Sequence, residues 1–326
     1  MNKAIIISLV AGALIGGTHA AALADAASDY PNRPITIVVN FPAGGTIDTQ
    51  ARVIGQKLQE KWGQPVIVEN RTGAGGNIGT AAAFSGDANG YTLLATPPGP
   101  MSINQYLYKS LGYDPIKFVP ITVMTQIPNM VTVRADFPAN SLKELIEYAK
   151  ANPGKVTFAS QGNGSTSHLS GQLLANLAGL KMVHVPYKGE GPALLDLVGG
   201  RVDMFVGNVS AVVKYAESKK VKMLAVASPK RSFVGPDTPP AAEAGLPGFE
   251  AIAWYALVAA PGTPPEVAQK LNAAAVEAMK MPDVKEKFRA FGGEIVGNSP
   301  KETTDFIASE RVRWKSVIDT AKVTLD

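Results

Sequence analysis

"NFPAGGTIDTQAR", Asn40 to Arg52, follows the apolar run "ITIVV" and precedes a stretch with helical periodicity. A proline and two glycines stand where a strand hands over to a helix, and this handover points to an α/β fold. Such a turn exposes backbone N–H groups at a helix start, a place suited to holding an anion. The glycines permit positive φ and remove side chains, so those N–H groups can reach a ligand. Thr46 is placed to cap the helix, and Asp48 falls in its first turn, where a carboxylate complements the dipole. Asp48 reads as a loop-supporting residue: bound to loop N–H groups it fixes the turn, whereas a free carboxylate would repel an anion.

The same alternation continues along the chain. "PITIVV", "PVIVEN" and "YTLLAT" read as strands, "TQARVIGQKLQEKWG" and "GNIGTAAAFS" as helices, and Pro97 to Pro100 as a proline-rich loop. A second block begins after "VPITVMTQIPNMVTVR". Its helix "SLKELIEYAKANPG" carries Ser141 as N-cap, Glu144 completing a capping box and Gly154 near its end. "KVTFAS", "MVHVPY", "VDMFVG" and "KMLAVAS" are strands of this block; "TSHLSGQLLANLAG" and "GPALLDLVGG" are helices. The C-terminal part has one strand-like run, "EAIAWYALVAAPG", and then three helices, which are expected to return and cover the first sheet. The expected division is lobe 1 over 29–127, lobe 2 over 128–252 and a lobe 1 return over 253–326. The chain would cross between lobes near Gln126 to Val131 and near Glu250 to Trp254.

The first residues read as a signal peptide, 1–24. Lys3 precedes "AIIISLVAGALIGG", an apolar core too short for a comfortable span, and Ala22-Leu23-Ala24 offers a cleavage site, with Ala26 as an alternative. An exported protein is therefore expected. The chain contains no cysteine, which excludes disulfides, thiolate metal sites and cysteine nucleophiles. Its 31 basic residues against 27 acidic ones are scattered, and neither a nucleic-acid stripe nor a polybasic membrane patch is visible. No nucleic-acid partner is expected.

Two further glycine-rich loops test alternative chemistries. "NRTGAGGNIG", Asn70 to Gly79, gives neither G-x-G-x-x-G nor the Lys-Ser/Thr of a phosphate loop, and no acidic residue follows to hold a ribose. It reads as a second wall of the same cleft, with Arg71 in an internal ion pair. "SQGNGSTSH", Ser160 to His168, places three hydroxyls at a helix start but does not match G-x-S-x-G. His168 reads as a capping or packing residue that supports the loop, and His168 with His184 lacks metal-ligand spacing. No cofactor and no metal are expected. Tyr187 and Asn208 end predicted strands, where α/β sheets place ligand contacts, although Tyr187 suits packing and Asn208 a turn equally; Lys188 reads as a solvated loop charge.

"FPAGGTIDTQAR", "ENRTGAGGNIGT", "ANPGKVTFASQGNGSTSHLSG", "VPYKG" and "GRVDMFVGN", in this order, resemble the tripartite tricarboxylate transporter receptor family, the TctC-like or Bordetella-uptake-gene (Bug) periplasmic solute-binding proteins. The resemblance runs from about Tyr30 to the C-terminus. It implies a type II periplasmic-binding-protein fold, two α/β lobes with the ligand cleft between them. It also implies that Phe41, Ala43, Gly44 and Gly45 hold a ligand carboxylate by backbone N–H groups, while Ser165, Thr166 and Asn208 face the rest of the ligand. Gly207 stands where many relatives carry an acidic residue, which argues against an amino-acid ligand. The expectation is a non-enzymatic, monomeric receptor for a small carboxylate, most of all an aliphatic or aromatic dicarboxylate, serving uptake or sensing; the resemblance implies a tripartite tricarboxylate membrane transporter as partner, which the sequence itself leaves open. Its rival is an exported hydrolase or oxidoreductase on the same scaffold, for which the chain offers no nucleophile motif or convincing base.

Overall fold

The computed structural model describes residues 29–321 and 323–325. The expected signal peptide and its cleavage site lie outside the described residues.

β1 (Ile35–Val39) is almost wholly buried and pairs in parallel with β2 (Val66–Asn70) and β3 (Thr92–Thr96). α1 (Thr46–Trp62) and α2 (Asn77–Phe84) make the crossovers, as the strand–helix alternation requires. α1 stops at Gly63, whose left-handed backbone (φ 67°) turns its N–H back to the Gln59 carbonyl. The proline-rich loop is more structured than expected. It opens a tight helical passage through Gly99–Ile103 and Asn104–Tyr106.

β4 (Val119–Arg134) organises the molecule. At 16 residues it is about 50 Å long, more than one small sheet can use. Its first part, from Val119 to Pro128, pairs antiparallel with β9 (Ile252–Ala259), which continues into β3, β1 and β2. Its second part, from Asn129 onward, pairs with β7 (Met204–Asn208) and β8 (Val221–Val226). β7 leads on to β5 (Thr157–Ser160) and β6 (Val183–Pro186), again in parallel. The chain thus forms two α/β halves that share one strand. Three backbone bonds stitch the junction: Asn129 N–H to Ala251 O, Ala251 N–H to Ala227 O, and Ala227 N–H to Asn129 O.

The helices of the second half are α3 (Leu142–Ala151), α4 (Thr166–Ala178), α5 (Glu190–Val198) and α6 (Val209–Glu217). At α3 the Ser141 hydroxyl accepts from the Glu144 N–H at 3.1 Å, as the box predicts, but the Glu144 carboxylate caps the Asn140 N–H instead of that of Ser141. α6 is missing from the sequence-based reading, because only its Val209 and Val212 are buried and two turns give little periodicity.

α7 (Pro265–Lys280) lays Leu271, Ala274 and Ala275 into the core formed by Ile35, Ile37, Leu93 and Leu257. α8 (Pro282–Ala290) follows, and the two-residue β10 (Glu294–Ile295), also unforeseen, adds to β4. α9 (Pro300–Ala321), about 33 Å long, does more than cover the first sheet. Its Ile307 packs with Trp254 and Val258 of β9, while Trp314, Val317 and Ile318 reach Leu169 of α4 in the second half.

Candidate functional site

The first loop leaves the buried end of β1. Asn40 is 1% exposed, and its side-chain amide donates to the hydroxyls of Thr80 and Thr96, both at 2.9 Å, which ties the loop to α2 and β3. Phe41 is half-buried, while Pro42, Ala43, Gly44 and Gly45 are exposed. Thr46 is not the cap expected of it. The N-cap is Gly45, which has no side chain to offer, and Thr46 is the first helical residue. The first turn of α1 therefore carries no side-chain cap, which leaves its N–H groups without that partner at the positive end of the helix dipole.

Asp48 does what a loop-supporting residue should. It is 3% exposed and accepts from the Gly44 N–H at 2.9 Å, from Arg52 and from the Asn70 amide. Burial pushes its carboxyl up, but the bonds from Arg52, Gly44 and Asn70 outweigh burial and hold it below the usual carboxylate range. One consequence was not foreseen: the Gly44 N–H is already committed inward. Free donors of this loop must come from its neighbours. Arg71 pairs with Glu69 at 2.9 Å, as expected.

The second glycine-rich stretch packs against the first. All four residues from Gly73 to Gly76 have positive φ, and a Cβ on Gly76 would lie 2.9 Å from the Phe41 ring. Asn104 donates to the Gly75 carbonyl at 3.1 Å and to Asn77 at 2.6 Å. Leu107, from the same short passage, sits 3.1 Å from where a Gly164 Cβ would be. Residues 99–107 thus join the loops of the two halves, a role that "PPGP" did not reveal.

In the second half, Ser165 is the N-cap of α4. Its hydroxyl accepts from the His168 N–H at 3.2 Å and donates to the Gly162 carbonyl at 2.7 Å. Thr166 is the first helical residue. His168 is buried and takes the Gly164 N–H on Nδ1 at 3.2 Å. Its ring stacks on that of His184 at 3.8 Å between centroids, and His184 Nε2 meets the Ser160 hydroxyl at 2.7 Å. Burial lowers both histidines, His168 to about 3 and His184 to about 4. Both rings are held neutral near pH 7 within the hydrogen bonds of the 160–168 loop. The Tyr187 hydroxyl is turned to Asp196 at 2.8 Å, and Lys188 is exposed.

Asn208, 3% exposed, donates from its amide to the Tyr255 hydroxyl at 3.1 Å. Tyr255 is on β9 and also meets the Thr46 side chain. The first loop, β9 of the first half and the end of β7 in the second therefore converge. Tyr255 and two further polar residues here, Gln161 and Glu190, are absent from the sequence-based reading. Tyr255 was hidden inside an apolar run, and Glu190 resembles any acid in a first helical turn. Among the described residues no group of His, Asp and Glu could hold a metal ion.

Comparison with known proteins identifies the chain's family and its fold. The family model described as the tripartite tricarboxylate transporter family receptor matches residues 50–323. Protein BugT of Bordetella pertussis is 40% identical over 294 residues, spanning 90% of each chain. A solved structure of an R. palustris protein with adipate superposes with a TM-score of 0.84 at 36% identity, over 91% of this chain and all of that one. MatC from Rhodopseudomonas palustris, with bound malate, gives 0.80 at 34% identity, over 89% of this chain and all of that one. The two-lobed α/β fold expected from "NFPAGGTIDTQAR" is the fold of these solved structures.

Proposed function

This chain belongs to the tripartite tricarboxylate transporter receptor family, and we propose that it captures a dicarboxylate between its two halves and releases it unchanged. Receptors of this family are periplasmic solute-binding proteins. The observation that carries the proposal is the uncapped start of α1: Gly45 has no side chain, and Asp48 locks the turn from within without presenting a free charge. Helix N–H groups and the dipole favour one carboxylate there. The donors are those of Ala43, Gly45 and the first turn of α1, with the Phe41 ring as the adjoining wall. Gly44 contributes by its backbone shape, since its own N–H serves Asp48.

Opposite, Thr166 and Asn208 contact the far end of the ligand, and Ser165 supports them as a cap. The division 29–127, 128–252 and 253–326 is retained, with motion about the stitched junction at Asn129, Ala227 and Ala251. The family supports delivery to a tripartite tricarboxylate membrane transporter. A bidirectional test uses succinate, adipate, suberate, the phthalate isomers, citrate, nicotinate, aspartate and glutamate in a melting-temperature panel. Each acid that binds is then recovered and its mass measured. Stabilisation by dicarboxylates with unchanged recovered mass is the expected result; a new product would make the protein an enzyme. At ligand near 100 times Kd the folded state gains about 2.7 kcal/mol.

A further inference from the structure

Glu190 has no part in the reading above, yet it stands at the far wall of the cleft. It opens α5 directly after Gly189, and its Oε1 accepts from the Gln161 side-chain amide at 3.0 Å. Two backbone bonds hold this segment to the second-half loop: Tyr187 N–H to Ser160 O and Gly189 N–H to Gln161 O, both at 3.1 Å. The Asn208 backbone N–H acts on the same carboxyl. Tyr255 lies on its other side, accepting from the Asn208 amide and meeting Thr46, the residue that follows Gly45. Gln161, Glu190, Asn208, Tyr255 and Thr46 form a polar chain from one half of the cleft to the other.

An ionised acid at this place conflicts with a dianionic ligand. Glu190 as a residue keeps some exposed surface, but its carboxyl is desolvated and no cation compensates it among the described residues. Burial pushes the carboxyl up to about 7, against the lowering effect of Gln161 and the Asn208 N–H. The titratable group facing it is Tyr255, whose hydroxyl burial raises far above neutral pH. Asp48 is on the first loop and occupied by Arg52 and Asn70; His168 and His184 are neutral supports of the 160–168 loop; Lys188 is exposed. Glu190 is thus the group of this wall that changes charge near neutrality.

Resting on the carboxylate-clamp reading, we infer that Glu190 is a specificity-determining residue that holds a proton against the far carboxylate of a bound dicarboxylate. The neutral acid donates its O–H to that carboxylate, whereas the ionised acid would repel it. The proton comes from bulk water, so the dianion, one proton and the ionised protein combine into one complex, with no covalent bond to carbon made or broken. A monocarboxylate with an apolar far end gains nothing from the proton and is disfavoured relative to a dicarboxylate.

The test measures adipate binding to the mature protein by calorimetry from about pH 6 to about pH 8, with Glu190→Gln beside the wild type. Above about pH 7 the wild-type Kd should weaken toward about tenfold per pH unit, with proton uptake approaching one when buffers of different ionisation enthalpy are compared. Glu190→Gln, whose amide donates at any pH, should give a flat profile and no uptake. Parallel profiles in the two proteins, or no proton uptake by the wild type, would overturn the inference. So would a wild-type preference for aspartate over adipate that disappears in Glu190→Gln, since the acid would then serve an ammonium. Gly44→Val separates the two readings: if it binds adipate like the wild type while Glu190→Gln still flattens the profile, the clamp fails and the proton partner stands. If the wild type binds no adipate across the range, both fall.

Discussion

Gly44 and Gly45 are neighbours in sequence but occupy different backbone regions, and their substitutions should separate accordingly. Gly44 has φ +80°, with open space around a would-be Cβ; Gly45 has φ −76° and would place its Cβ 3.4 Å from the Pro42 carbonyl. The expectation that both glycines serve positive φ holds for Gly44 alone. Gly44→Ala should cost roughly 1–2 kcal/mol of stability and disturb the Asp48 bond, weakening adipate binding more than tenfold. Gly45→Ala should leave the melting temperature nearly unchanged. Chemical denaturation and titration of both variants check this, and equal destabilisation would contradict the assigned conformations. The inward turn of Asp48 was readable from charge alone, because a free carboxylate beside a proposed anion site is self-defeating. The commitment of the Gly44 N–H to it was not, since that needs the distance. Asp48 is held low, so its stabilisation is present above the ordinary carboxylate pKa and is lost as pH falls through the lowered one.

At the scale of elements, α4 begins with two coupled devices, the Ser165 cap and the stacked His168–His184 pair. Ser165→Ala removes the acceptor for the His168 N–H and should cost about 1 kcal/mol in a denaturation curve. This hydroxyl is engaged by Gly162 and His168, so the loss in adipate affinity should be smaller than for Gly44→Ala. The histidines have folded pKa values below the free value of about 6.5, at about 3 and about 4. The unfolded chain therefore binds more protons than the folded one between those limits. Stability is present above about pH 6.5 and falls as pH drops toward 4, by at most about 1.4 kcal/mol per pH unit for each histidine. Melting temperatures from about pH 7 to about pH 4 should show this decline, and His184→Phe, which keeps a ring on Phe158 and His168, should reduce its slope. An unchanged slope in His184→Phe would remove the pair from the account.

Across the whole molecule, α9 fastens β9 and reaches the second half. Glu310 is 5% exposed, and its Oε2 accepts from the indole N–H groups of Trp254 at 3.0 Å and Trp314 at 2.9 Å; its other oxygen meets Arg313 at 3.1 Å. Glu310→Leu strands two buried indole donors, while Arg313 keeps its bond to the Glu250 carbonyl, and should destabilise by about 3 kcal/mol. Glu310→Gln, which keeps one acceptor oxygen, should cost clearly less. Because α9 touches both halves, closure on a ligand must preserve or rearrange the packing of Trp314, Val317 and Ile318 against Leu169. Small-angle scattering with adipate should show compaction about the Asn129 junction, with an unchanged profile indicating a site that is already closed.

Local chemistry was enough to read the strand–helix alternation, the Gly63 stop of α1, the Ser141 cap and the strand-to-helix turn at "FPAGG", because each depends on residues a few positions apart. The family resemblance in five ordered motifs likewise needed only the chain. Tertiary structure alone decided which distant groups meet. Tyr255 lies 47 positions from Asn208 and yet bonds to it, and Glu190 lies 29 from Gln161. Residues 99–107 bridge two glycine loops that the sequence keeps far apart. α6 and β10 were illegible because two turns, or two residues, carry too little periodicity and owe their form to packing. The charge state of Glu190 was out of reach for the same reason: a carboxyl's pKa is set by the burial and donors around it, and those exist only once the two halves are folded together.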